Sequence, residues 1–80
     1  MQHNQGGVIW FWMANRHPAN HTGPDIWKPY TNSENSIIEK AFQENKDSVG
    51  VGDYIVDFGR NIQYRISDHT KTRPIKREKY

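Results

Sequence analysis

Cysteine is absent from this 80-residue chain. That excludes a disulfide framework and any thiolate metal or catalytic site. No apolar run approaches the roughly 20 residues of a membrane helix. No basic-then-apolar signal peptide opens the chain either. Hydrophobic residues make up 34% and the mean hydropathy is −1.01. The chain is therefore polar, yet 12% aromatics is too rich for a disordered tail. A chain this short is one domain at most, hiding only about 60% of its unfolded surface. Its length suits a module of a longer protein better than an enzyme. No nucleophile–base pair stands out among its residues.

Charge is unevenly spread. Residues 60–80 hold seven bases against two acids, a local charge of +5. Earlier residues hold four bases against seven acids, a local charge of −3. A basic end on an acidic domain points to an anionic partner, or to a plain solvated tail.

Residues 1–7 are polar with a Gly6-Gly7 pair, so they are expected to be a disordered lead-in to a domain over 8–80. Val8–Met13 is a continuous apolar run of strand length. Alternation places Val8, Trp10 and Trp12 on one face, and Ile9, Phe11 and Met13 on the other. Residues 14–25 are dense in Asn, Pro, Gly and His, a loop composition. A second short strand is expected over Ile26–Tyr30, where Pro29 restricts it to an edge or a strand end.

Asn32–Asn45 is the one good helix. Ser33 or Asn35 is expected to cap it, and Ser36 with Glu39 fits a capping box one turn later. Ile37, Ile38, Ala41 and Phe42 form its apolar stripe. The stripe is narrow, so this helix needs a sheet to lie on.

Lys46–Asp53, with Gly50 and Gly52, is expected to be a loop. Tyr54–Phe58 reads as a strand and Asn61–Ile66 as its hairpin partner across a Gly59-Arg60 turn. Ser67–Thr72 reads as a polar turn. Arg73–Arg77 reads as a last strand, which Pro74 assigns to an edge. One helix against an antiparallel sheet is an α+β arrangement. His17 and His21 form an H-x-x-x-H pattern without a third ligand, so no metal site is expected.

The order of these motifs resembles a WWE domain. Trp10-Phe11-Trp12 comes first, then Trp27-Lys28-Pro29-Tyr30, then Ile38-Glu39-Lys40-Ala41-Phe42. Tyr54-Ile55-Val56-Asp57-Phe58, Asn61-Ile62-Gln63-Tyr64-Arg65 and Arg73-Pro74-Ile75-Lys76-Arg77 follow. The resemblance implies an antiparallel half-barrel sheet wrapped around a single helix. It implies a non-catalytic module, without cofactor, that binds poly-ADP-ribose through its iso-ADP-ribose unit or its terminal ADP-ribose. Such modules sit in ubiquitin ligases and ADP-ribosyltransferases, inside the nucleus or cytoplasm. The partner is then poly-ADP-ribose or an ADP-ribosylated protein, with neither a membrane nor DNA expected. An intracellular reader would leave the Asn20-His21-Thr22 glycosylation sequon unused.

Six residues are the resulting candidates. Trp12 and Tyr54 would line the mouth of the half-barrel, Trp12 as a stacking surface unless it is spent on the core. Gln63 would bond an adenine edge. Arg73 would grip a phosphate with its planar fork, with Lys71 sharing that face if the strand starts early. Trp27 would support the pocket wall or fill the core. Lys76 and Arg77 would add field strength or, as the plainer expectation, be ordinary surface charge, and Glu39 is expected as a structural residue, exposed on the helix or bonded to a neighbouring strand.

Two departures and one conflict stand out. The 14–25 loop is longer than is usual in the family. Asn61 stands where the family often has methionine, so a core contact would be missing. Periodicity turns Ile62, Tyr64 and Ile66 inward, whereas the resemblance turns Gln63 inward. Both hold if the outer face, with Ile9 and Phe11, meets a protein partner. From the residues alone, the alternatives are a protein-interaction module and a single-stranded RNA binder. The latter would stack bases on aromatic strands beside a basic edge, but the glycine–aromatic signature of such sheets is missing.

Overall fold

The computed structural model describes residues 7–15 and 24–80. The two loop histidines and the sequon lie outside the described residues. The elements run β1 Val8–Met13, β2 Trp27–Pro29, α1 Asn32–Gln43, β3 Ser48–Val51, β4 Tyr54–Asp57, β5 Ile62–Arg65 and β6 Asp68–Lys79. The six strands form one antiparallel sheet in the order β2-β1-β6-β5-β4-β3. With the single helix among the described residues, this is the expected α+β half-barrel. No helix among the described residues is long and apolar enough to cross a membrane.

One face of the sheet carries the core. Trp10, Ile38, Val51, Val56 and Ile75 are buried together with Tyr30, and Val8, Trp12, Val49 and Phe58 pack around them. Alternation in β1 delivers Val8, Trp10 and Trp12 to this face, as the pattern requires. Trp10, Phe42 and Phe58 meet as three tilted rings with centroids 5.3–5.6 Å apart. Within the expected helix stripe, Ile38 and Ala41 are the buried members, and Ile37 is exposed.

The helix starts differently from the expectation. Its N-cap is Thr31, whose hydroxyl accepts from Glu34 N while the Glu34 carboxylate accepts from Thr31 N. The capping box is thus Thr31-x-x-Glu34, because the anchored Tyr30 fixes the chain one residue before it. Asn35, expected as a cap, completes the free edge of β1 instead. Its amide oxygen accepts from Trp10 N at 2.6 Å and its nitrogen donates to Val8 O at 2.9 Å. Thr31→Ala is expected to cost about 1 kcal/mol in urea unfolding, with the slope unchanged.

Three further expectations change. Residues 48–51 form a strand, not a loop. Val49 and Val51 face inward, and Gly52, at φ +60°, suits a hairpin turn with glycine at its first central position. β6 runs twelve residues and is interior to the sheet, so Pro74 is not on an edge. Pro74 pairs with Ile62, and Ile75 N donates to Asn61 O. The ring nitrogen therefore faces β1, at the point where that pairing has stopped after Trp12↔Ile75. Asn61 is exposed at φ +58°, a left-handed turn position that asparagine tolerates.

Arg77 is the last correction. It is no ordinary surface charge. It donates through Nε and Nη2 to both oxygens of Glu39, at 3.0 and 2.8 Å, and lies 4.6 Å over the Phe42 ring. Glu39 thus bonds β6, one of the two placements expected for it.

Candidate binding site

A cavity of about 150 Å³ opens between the first turn of α1 and the sheet. Trp12, Tyr30, Glu34, Val51, Tyr54 and Gln63 line it. Strand pairing explains the convergence. Tyr54 ends the β3–β4 hairpin opposite Val51, and Gln63 sits opposite Val56 and Arg73. Trp12 both lines the cavity and packs on the core.

Gln63 is the buried polar residue of this cavity, 4% exposed. It is turned inward, while Ile62 and Tyr64 are half-buried and Ile66 is exposed. The Tyr30 hydroxyl donates to Gln63 Oε1 at 2.5 Å. Burial first, then the neighbouring Glu34 carboxylate, raises the Tyr30 hydroxyl above its ordinary value. Tyr30 therefore stays a donor throughout the physiological range. The amide acceptor is spent on it, and Gln63 Nε2 has no acceptor among the described residues. A buried amide held with its donors unused suits a ligand that accepts hydrogen bonds.

Arg73 stands across the ladder from Gln63 and so on the same face. Its Nη1 donates to Ala14 O at 2.6 Å and reaches Met13 O at 3.4 Å. The guanidinium is thereby moored at the end of β1. Its Nε and Nη2 have no acceptor among the described residues.

Arg73 is thus beside the cavity and not in its lining, and the other two candidates, Trp27 and Lys71, do not line it either. Trp27 pairs with Met13 on the opposite face, where Lys76 Nζ lies 4.8 Å from its ring and 5.3 Å from that of Phe11. Lys71 is exposed, in the stretch of β6 where pairing shifts between Asp68 and Thr72. Sequence reasoning missed Tyr30, Glu34 and Val51. The signal for Tyr30 lay in its place, between Pro29 and a helix cap. Among the described residues no group of three or more His, Asp or Glu side chains gathers as a metal site.

A one-helix half-barrel with an aromatic cavity at its mouth is the arrangement of a small binding module. The WWE domain family model matches residues 8–77. The chain belongs to the WWE domain family. No curated protein matches it.

Proposed function

We propose that this domain recognises poly-ADP-ribose through its iso-ADP-ribose unit, or through a terminal ADP-ribose, within a larger ubiquitin ligase or ADP-ribosyltransferase. The observation that carries this reading is the buried Gln63 amide. Its oxygen is held by Tyr30, so its nitrogen presents donors to a cavity sized for one nucleobase. A purine offers ring nitrogens to that donor and a flat face to Trp12 and Tyr54. Glu34, at the same cavity, accepts from an exocyclic amine. Arg73, across from Gln63, supplies Nε and Nη2 to a phosphate outside the base cavity.

Calorimetric titration of the chain with iso-ADP-ribose, ADP-ribose and ATP tests the reading. Iso-ADP-ribose is expected to bind most tightly. Gln63→Ala is expected to weaken it about tenfold, the effect of one lost hydrogen bond that leaves its partner desolvated. Absence of heat at millimolar iso-ADP-ribose and ADP-ribose alike overturns the reading.

A further inference from the structure

The sheet ends in β2 on one side and β3 on the other, and the chain treats the two edges differently. β2 carries Lys28 and Pro29, both exposed, and such residues discourage a further strand from pairing there. β3 carries neither, only Ser48-Val49-Gly50-Val51. We propose that the β3 edge pairs antiparallel with β3 of a second copy of this chain, about a two-fold axis at Val49, so that two sheets join into one.

The free edge follows from the hairpin. Phe58 N donates to Asp47 O at 3.0 Å, and Val51 pairs with Tyr54 across the Gly52-Asp53 turn. Bonded and non-bonded pairs alternate along such a ladder, so Asp47, Val49 and Val51 turn their backbone groups to β4. Ser48 and Gly50 turn theirs outward. Both residues are exposed, and their outward N–H and C=O groups have no partner among the described residues. Nothing in the fold of one copy requires glycine at position 50. Its φ is not positive, its register with β4 is unbroken, and a Cβ there would meet Ile55 Cδ1 at an ordinary 3.8 Å. A strand glycine without a bulge or bend marks a place where another backbone comes close.

The occupant is a second copy because this edge complements itself. Only one register pairs both outward residues inside the strand. It sets Ser48 of each copy against Gly50 of the other, and each such pair exchanges both backbone bonds. Val49 then faces Val49 across the axis, a β-branched pair of the kind that supports antiparallel strands. No like charges stand opposite each other in this register, since Asp47 meets Val51. Ile37 adds an apolar rim. It is 46% exposed, and helical spacing puts it on the flank of α1 away from Glu39, which bonds Trp10 of β1 and Arg77 of β6. α1 also packs on β3, so a strand added at that edge covers Ile37. The axis stands perpendicular to the sheet, and both copies therefore keep their helices on one side.

This pairing is independent of the function proposed above. A strand of 4 residues makes a small interface, so a dissociation constant of about 0.1–1 mM is expected. Sedimentation equilibrium at about 1 mM protein is then expected to give a weight-average mass about 1.5- to 1.8-fold that of the monomer, falling towards the monomer mass on dilution. Ser48→Lys and Gly50→Pro, each checked for folding by circular dichroism melting, are expected to stay monomeric throughout. Gly50→Pro removes an N–H that β4 does not use. Ser48 is exposed and stands opposite Asp57, so Ser48→Lys keeps the test open where Gly50→Pro fails to fold. The absence of cysteine permits a test of register. Under mild oxidation Val49→Cys is expected to cross-link about tenfold faster than Ser48→Cys, although position 49 is the less exposed, because only the axial pair comes within disulfide reach. A monomer mass at about 1 mM overturns the proposal and leaves the edge to a strand of another protein. So does a dimer that survives both substitutions, or a Ser48→Cys chain that cross-links as fast as Val49→Cys.

Discussion

Glu39→Ala is expected to destabilise the domain by about 3 kcal/mol and to lower its melting temperature by roughly 15 °C. The carboxylate serves four donors at once. Oε1 accepts from Trp10 Nε1 at 2.9 Å and Arg77 Nε at 3.0 Å. Oε2 accepts from Gln43 Nε2 at 2.7 Å and Arg77 Nη2 at 2.8 Å. Trp10 is 2% exposed, so its indole N–H has no water to replace the lost acceptor. Glu39 and Arg77 are each 22% exposed at the side chain, which places the pair well above an open surface bridge and below a fully dry one. The expected loss is a large share of the roughly 5–15 kcal/mol that holds a small domain together. The bond also ties α1 to β6 and β1, so its removal frees the helix from the strands that carry the core. A double-mutant cycle of Glu39→Gln with Arg77→Met, which keeps the stem over Phe42, is expected to be non-additive by more than about 1 kcal/mol. Additive losses would mean that the two side chains stabilise separately.

The same contacts set an acid limit. Hydrogen bonds from Arg77 foremost, then from Gln43 and Trp10, pull the Glu39 carboxyl from 4.5 down to about 2, against the opposing push of burial. A carboxyl depressed in the fold stabilises it above the unfolded value and loses that contribution as pH falls through the folded one. The stability gap between wild type and Glu39→Gln is therefore expected to narrow between about pH 4.5 and 2. The part lost is about 2–3 kcal/mol after allowing for water at both side chains.

What could be read from the chain beforehand was whatever local pattern decides. The six-residue alternation of β1 sorts its rings onto two faces with no help from elsewhere. The apolar positions of α1 announce a helix that needs a sheet. Patterns failed where a distant partner decides. Gly50 and Gly52 disguised β3, whose strand character comes from Val49 and Val51 pairing with β4. Pro74 seemed to demand an edge, yet an interior strand tolerates it because the β1 ladder has already ended beside it. Glu39 and Arg77 are 38 residues apart, and no periodicity links them. At the cavity, Gln63 broke the hydrophobic alternation of its own strand. Such a break is expected where burial serves a ligand rather than packing. Tyr30 and Glu34 escaped notice because each already had a local reason to be where it is, one at a strand end and the other in a helix cap.

Arg73→Lys is expected to weaken iso-ADP-ribose binding at least tenfold while leaving the melting temperature within a few degrees of the wild type. The site asks two things of this side chain. One nitrogen, Nη1, is committed to the carbonyls of Met13 and Ala14, of which Met13 O stands opposite Pro74, where no N–H is offered. The proposed phosphate contact requires Nε and Nη2 at the same time, held at an angle that the mooring defines. A guanidinium does both because its donors are fixed in one plane. A lysine ammonium is a single point, so it must choose. Arg73→Ala removes both roles, and is expected to weaken binding about a hundredfold with a measurable fall in melting temperature as the end of β1 loses its donor. Comparing the two variants by calorimetry and by thermal unfolding separates the roles. If Arg73→Lys binds as the wild type does, the charge alone suffices, and the fork geometry assigned to position 73 is wrong.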